Sequence, residues 1–279
     1  MSATYYETLF ISDTHLAHRG CRAQELTRFL TGARCKTLYL VGDIIDMWRL
    51  KSRLYWPPGH NDVAQQILAM AKAGTEVIYI PGNHDEALRD YIGLQVGGIE
   101  IRKHDIHHTL DGRKLFVTHG DQFDVVIRHS PWLGMLGDAA YEFLILTNRL
   151  YNQARSLVGL KYWSLAQFLK MKVKQACTFI SRFEDHLLEE ARRQGCDGVV
   201  CGHIHKAEAE MRDDLWYYNC GDWIENCTAL AEFEDGRIEV IDGLLAIAHQ
   251  SANDGTTAPD PRTERIFDPE LEEDLAVLG

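Results

Sequence analysis

Thr37-Leu38-Tyr39-Leu40-Val41-Gly42-Asp43-Ile44-Ile45-Asp46 decides the fold. Its first half is a short run of β-branched, aromatic and other apolar residues, the pattern of a strand. Its second half places a glycine and an aspartate where that strand must end. Ligands of open α/β sheets collect beyond the carboxyl ends of the strands, so Asp43 stands at such an end. The same pairing of a short apolar run with a polar motif recurs on either side. Thr8–Ile11 leads into Asp13-Thr14-His15, Glu76–Ile80 into Gly82-Asn83-His84-Asp85, and Lys114–Thr118 into His119-Gly120-Asp121. A fifth motif is Gly202-His203-Ile204-His205.

Between these runs lie helical patterns near Cys21–Thr31 and Asp62–Ala73, with a short helix around Glu86–Tyr91. Strand–helix alternation predicts α/β layering with a largely parallel sheet. The pattern then changes. Ile106–Leu110 and Lys114–Thr118 flank Asp111-Gly112, and Ala229–Phe233 and Arg237–Ile241 flank Asp235-Gly236. The Asp-Gly pairs supply the positive φ that hairpin turns need, so a second, mixed or antiparallel sheet is expected in the later half. From about Val125 to Ala191 no strand signal appears, and apolar-aromatic spacing predicts two to four helices. The chain thus reads as one domain over 1–250, with a helical insertion at about 125–191. Residues 251–279, acidic and carrying Pro259 and Pro261, read as a poorly ordered tail.

Charge and cysteine usage narrow the function classes. The 279 residues carry 29 basic against 41 acidic side chains, a net charge of −12. That argues against non-specific nucleic-acid binding, which depends on neutralising phosphates. No apolar run approaches the ~18–20 residues of a spanning helix, and no secretory signal is evident. Seven cysteines at 21, 35, 177, 196, 201, 220 and 227 form no C-x-x-C pair, so neither a disulfide framework nor a structural zinc site is expected. A reducing cytoplasm suits this pattern.

Each motif alone is weak, since a Gly-Asp is usually a turn and an H-x-H is more often packing or surface. Five in this order, after strands, converge on one site. In an extended segment residues i and i+2 share a face, so Asp13 with His15, and His203 with His205, are each expected to present two ligands together. The donor set of Asp13, His15, Asp43, Asn83, His119, His203 and His205 mixes carboxylate, imidazole and amide. This suits Mn²⁺, Fe²⁺ or Zn²⁺ better than an all-oxygen Ca²⁺ or Mg²⁺ cage. Glycines beside these residues keep Cβ atoms away where backbone must come close. Asp46 reads either as part of the site or as a helix-start carboxylate, Asp85 as a cap, and Asp121 as a partner of a ligating histidine.

With these blocks, D-x-H, G-D-x-x-D, G-N-H-[DE], H-G and G-H-x-H, the sequence resembles the calcineurin-like metallophosphoesterase superfamily. The resemblance implies two mixed β-sheets in a sandwich flanked by helices. It implies two divalent metals, Mn²⁺ in the first place with Fe²⁺ or Zn²⁺ as alternatives. Asp13, His15 and His205 would hold one, Asn83, His119 and His203 the other, and Asp43 would bridge them. A hydroxide between the metals would attack phosphorus in line. His84 would assist the departing or non-bridging oxygen, oriented by Asp46 or Asp85.

Within the superfamily the chain resembles the UDP-2,3-diacylglucosamine diphosphatases of lipid A biosynthesis. Leu38–Asp43 followed by Met47-Trp48, the His119-Gly120-Asp121 block, and Gly221-Asp222-Trp223 after Asn219 carry this likeness, together with the helical insertion. That implies an anionic UDP-lipid substrate, an acyl-chain lid, and a peripheral place at the inner membrane. Between Val125 and Ser181 seven basic residues face two acidic ones, +5 within an acidic chain. An anionic membrane surface attracts such a segment, although lysines on a solvated face would look the same. One position departs: the branch carries arginine after the asparagine, G-N-R-D, where this chain has His84, as in generic phosphoesterases. A phosphodiesterase or phosphatase acting on a soluble nucleotide or other phosphoester is therefore the alternative, and a scaffold without catalysis a third reading.

Overall fold

The computed structural model describes residues 3–52, 54–123 and 182–253. In chain order the elements are β1 (Thr4–Ile11), α1 (Ala23–Thr31), β2 (Ala33–Val41), α2 (Met47–Ser52), α3 (Pro58–Lys72) and β3 (Glu76–Ile80). Next come β4 (Gln95–Val96), β5 (Ile99–Ile101), β6 (Asp105–His108), β7 (Lys114–Val117) and α4 (residues 182–193). The chain then forms β8 (Gly198–Cys201), β9 (Glu208–Arg212), β10 (Leu215–Asn219), β11 (Thr228–Glu232), β12 (Ile238–Asp242) and α5 (Gly243–Asn253). The expected helix around Glu86–Tyr91 is a 3-10 turn. Segment 124–181, most of the expected insertion, and the tail from 254 lie outside the described residues.

Two mixed sheets result. The larger has the order β12-β11-β1-β2-β3-β5-β4, the smaller β6-β7-β8-β10-β9. β1, β2, β3 and β5 run parallel, as do β7, β8 and β10. The expected hairpins both form, but β11–β12 does not belong to the second sheet. It extends the first, β11 pairing antiparallel with β1 through Thr8↔Glu232 and Phe10↔Leu230. The reason lies in its side chains. Leu230 fills the space between the sheets, while Ala229 and Ala231 are small enough to pack on the helix side.

Period-two alternation sorts the strands into three cores. Phe10, Tyr39, Val41, Ile78 and Ile80 meet Leu115, Val117, Val200 and Tyr218 between the sheets. Their neighbours Leu9, Ile11, Leu38, Leu40, Val77 and Tyr79 point the other way, onto α1, α3 and α5. On the far side Phe116, Val199, Cys201 and Tyr217 meet Phe183, Leu187, Leu188 and Ala191 of α4, which recur at helical spacing. α3 opens with proline at its first turn, where the missing N–H costs nothing. A helix–sheet–sheet–helix stack leaves the carboxyl ends of β1, β2, β3, β7 and β8 at one edge, and this edge carries the motifs.

Candidate metal centre

Each motif is tied to its neighbours by backbone. Asp13 N donates to Gly42 O at 3.1 Å and His15 N to Asp43 O at 2.9 Å, joining the loops after β1 and β2. Gly202 N donates to His119 O at 3.1 Å, joining those after β7 and β8. Asp13, His15, Asp43, His203 and His205 all have φ between 48° and 72°. The segments are therefore left-handed turns rather than extended strands: Asp13 and His15 do come together in one cluster as expected, though through a turn and not a shared strand face. His203 and His205 turn to different clusters. The glycines do what was expected of them, against side chains. A Cβ on Gly42 would lie 2.4 Å from His119, one on Gly82 2.2 Å from Asp43 Oδ1, and one on Gly202 2.4 Å from Asp13 Oδ2.

Two clusters able to hold a metal ion form: Asp13, His15 and His205, and Asp43, His119 and His203. Asp13 and Asp43 divide their oxygens alike. Asp13 Oδ2 accepts from His203 N at 2.9 Å, leaving Oδ1 3.2 Å from His205 Nε2 and 3.8 Å from His15 Nε2. Asp43 Oδ1 accepts from His84 N at 2.8 Å, leaving Oδ2 3.4 Å from His119 Nε2 and 3.9 Å from His15 Nε2. Asp43 thus touches both clusters. His119 Nδ1 lies 2.9 Å from Val41 O, which places a proton there and leaves Nε2 as the ring nitrogen that faces Asp43.

Asp13 Oδ1, His15 Nε2, Asn83 Oδ1 and His119 Nε2 are buried without a hydrogen-bond partner. Buried polar atoms are rarely left so. Four together, mixing carboxylate, imidazole and amide, fit divalent metal ions and little else. Electrostatics agree. Burial opposes charge on Asp13, but His205 and His119 outweigh it and hold its carboxyl below the usual range. Burial is likewise overcome at Asp43, chiefly by His119, then by His15 and His84. Burial also works against protonation of His119 and His205, yet Asp43 raises the first and Asp13 the second above an ordinary imidazole. The site is a negative well in which protons and metal ions compete for the same lone pairs.

A third cluster flanks these: His15, Asp46 and His84. His84 Nδ1 is 3.1 Å from Asp46 Oδ1 and His15 Nδ1 3.8 Å from Asp46 Oδ2. Burial disfavours a charged His84, but Asp46 and Asp43 together raise its pKa. Asp46 also accepts from Arg49 N at 3.0 Å, so it is at once the helix-start carboxylate of α2 and the partner of His84. Asp85 stands at the N-cap position of the 3-10 turn at Glu86–Tyr91 but makes no side-chain cap bond there, and it is not a partner of His84. Its buried carboxylate accepts from Gly82 N at 2.6 Å, Ile44 N at 2.8 Å and Tyr79 Oη at 2.5 Å, clamping the β2 and β3 loops together. Asp121 pairs with Arg89, both oxygens 2.8 Å from Nη2, instead of with a histidine.

The supports least visible in sequence act through backbone. Thr14 Oγ1 donates to Ile44 O at 2.8 Å, and Ser12 Oγ to Gly221 O at 3.1 Å. Ala17 N donates to His60 Nδ1 at 2.9 Å. Asn219 Nδ2 donates to Gly202 O at 2.9 Å, and Trp223 N to Asp13 O at 3.1 Å, which explains why the Asn219–Trp223 stretch accompanies the metal motifs. Hydroxyls and amides of this kind give no periodic signal.

Comparison with known proteins places the chain in a family. Residues 6–207 match the model of the calcineurin-like phosphoesterase family. A UDP-2,3-diacylglucosamine hydrolase of Hahella chejuensis is 30% identical over 78% of this chain and 90% of its own. One of Porphyromonas gingivalis is 24% identical over 77% and 89%. An archaeal phosphodiesterase of solved structure aligns at 15% identity over 84% of this chain and 98% of its own, with a TM-score of 0.37. The chain belongs to the calcineurin-like phosphoesterase family and is a phosphoester hydrolase.

Proposed function

We propose that the protein is a dinuclear metal-dependent hydrolase that splits the pyrophosphate of UDP-2,3-diacylglucosamine or a closely similar UDP-lipid. The observation that carries the metal assignment is the set of orphaned buried donors, Asp13 Oδ1, His15 Nε2, Asn83 Oδ1 and His119 Nε2. Asp13, His15 and His205 would hold one ion and Asn83, His119 and His203 the other, with Asp43, which touches both clusters, shared between them. When bound, two divalent ions, Mn²⁺ in the first place, polarise the phosphoryl oxygens and lower the pKa of water to supply a nucleophile. The protein's own residues do the rest. His84, whose pKa Asp46 and Asp43 raise against the effect of burial, is placed to donate to the oxygen that gains charge as the phosphorus–oxygen bond breaks. Asp46 keeps that imidazole aimed from beneath while holding the first turn of α2.

The lipid substrate is supported by the relatives named for it, and His84 in place of arginine favours a second reading, a phosphodiesterase of a smaller ester. The described residues contain no helix long and apolar enough to cross a membrane. We assign the protein to the cytoplasmic side of the membrane, with contact made by the insertion, whose described part is α4 only. The test is turnover of the Mn²⁺-loaded protein on UDP-2,3-diacylglucosamine beside bis(p-nitrophenyl) phosphate. Release of UMP supports the lipid reading; turnover of the generic ester alone overturns it and leaves the dinuclear hydrolase.

A further inference from the structure

Among the described tryptophans Trp48 and Trp56 are exposed, and of the two Trp48 packs on His84 while Trp56 packs on His60. Trp223 is fully buried, and Trp216 stacks on Tyr218 with centroids 5.4 Å apart. Trp48 keeps 41% of its surface exposed although it lies beside the site. It sits in the first turn of α2, two residues beyond Asp46. Its ring centroid is 4.2 Å from that of His84 at 34°, and His84 is 4.6 Å from His15. An exposed indole therefore stands two ring contacts from a metal-ligand candidate, along the flank that His84 occupies.

Exposed tryptophan is costly surface for a water-facing rim, and shielding His84 would need only an aliphatic side chain. An indole has in addition a π-face and an apolar plane that suit a flat heteroaromatic ring. Its neighbour adds charge. Arg49 has its Nε 4.0 Å from Asp46 Oδ2 with the side chain largely exposed, and α2 carries Lys51 and no acidic residue. An aromatic plane, a guanidinium and a metal cluster on one flank are the parts that grip a base, a phosphate and the phosphorus under attack. The order also fits reach, because a ribose separates the base of a nucleotide from its phosphorus as His84 separates Trp48 from His15.

We propose that Trp48 is the stacking platform for the nucleobase of a nucleoside phosphate, and so a specificity-determining residue of this hydrolase. This deepens the proposed function and rests on its reading of the substrate as a nucleotide ester. His84 then sits between base and phosphorus, where it meets the oxygens of the scissile linkage.

The experiment compares equilibrium binding of UMP and of ribose 5-phosphate, which lacks the base, to the Mn²⁺-loaded protein by calorimetry. The wild-type chain is set beside Trp48→Phe and Trp48→Leu, both filling the space over His84. Wild type binds UMP more tightly than ribose 5-phosphate. Trp48→Leu loses about 5- to 150-fold of UMP affinity, the worth of one base–aromatic stack, with ribose 5-phosphate unchanged. Trp48→Phe keeps most of the preference, and bound metal per chain reports that each variant is folded. Equal binding of the two ligands by wild type, or a parallel loss of both in Trp48→Leu, overturns the proposal and makes Trp48 a seat for His84. If the base preference follows Trp48 while UDP-2,3-diacylglucosamine is not cleaved, the lipid reading fails and the platform stands.

Discussion

Gly82→Ala isolates the geometry of the metal centre from the conformation of its backbone. Gly82 does not have the positive φ of Gly42, so alanine meets no backbone penalty there. What it meets is contact. The new Cβ would lie 2.2 Å from Asp43 Oδ1 and 2.7 Å from both Cδ2 and Nε2 of His119. Ordinary contact begins near 3.4 Å, so Asp43 must retreat by about 1 Å, and its Oδ1 is held by His84 N. Metal sites tolerate about 0.2 Å in ligand distance, and a misplacement of about 1 Å costs about 10²-fold in rate. The global cost of the extra methyl is about 1–3 kcal/mol, too little to unfold a typical domain. We expect metal per chain, by elemental analysis, to fall from two towards one. Turnover of bis(p-nitrophenyl) phosphate should fall about 10²-fold, with an unchanged circular dichroism spectrum. Gly59→Ala is the control, since its Cβ meets nothing nearer than 3.8 Å, and it should leave all three unchanged. Two bound metals and wild-type turnover in Gly82→Ala would refute the assignment of Asp43 and His119 as ligands.

Other consequences are as direct. His119→Ala should lose one metal and nearly all activity while remaining folded; unchanged turnover would remove His119 from the site. His84→Ala should keep both metals and slow turnover about 10²–10⁴-fold, the range of acid–base and electrostatic assistance; loss of metal would make His84 a ligand. His119 and His205 have raised pKa values, so metal binding displaces protons and its affinity climbs with pH, about tenfold per unit for each proton, until both are neutral. The metal-free protein shows the opposite sign, losing these histidine–carboxylate contributions as pH rises through the raised values; calorimetry in buffers of different ionisation enthalpy that finds no proton release would contradict both. Mn²⁺ at 100 times the dissociation constant of each site should stabilise the fold by about 2.7 kcal/mol per occupied site over the chelated protein, roughly 5–11 °C in Tm for each, and His119→Ala, keeping one site, should lose about half of the two-site gain in a calorimetric scan.

What the sequence made legible follows from periodicity. Thr8–Ile11, Thr37–Val41 and Glu76–Ile80 announce themselves because both faces are buried, and each ends in its motif. The edge strand β9, Glu-Ala-Glu-Met-Arg, is largely exposed and its composition suits a helix as well, so only its pairing with β10 makes it a strand. β11 was legible as half of a hairpin but not as a neighbour of β1, because register between residues 8 and 232 leaves no local trace. The site divides in the same way. Six of the seven candidate donors fall in the two clusters that could hold a metal ion and come from motif chemistry, whereas the Arg89–Asp121 pair, the Asp85 clamp and His60 beneath Ala17 depend on contacts across 32, 41 and 43 residues. Spacing also misled where it was trusted too far, since an i and i+2 pair shares a face only in extended chain.

That failure leads to the physical character of the site. Asp13, His15, Asp43, His203 and His205 hold a left-handed conformation that costs a residue with a side chain of the order of 1–3 kcal/mol. Glycine would relieve it, and the chain does use glycine at the adjoining positions 42 and 120. At the five themselves the side chain is indispensable, so chemistry overrules backbone preference, helped by the tolerance of aspartate and histidine for this region. The strain persists because the loops are fixed from several sides. Gly42 O and Asp43 O hold the turn after β1, Asp13 Oδ2 holds the turn after β8, and Asn219 holds Gly202. Beneath them the parallel strands are locked by three apolar cores. Metal ions bound there would satisfy the orphaned donors and offset part of the strain.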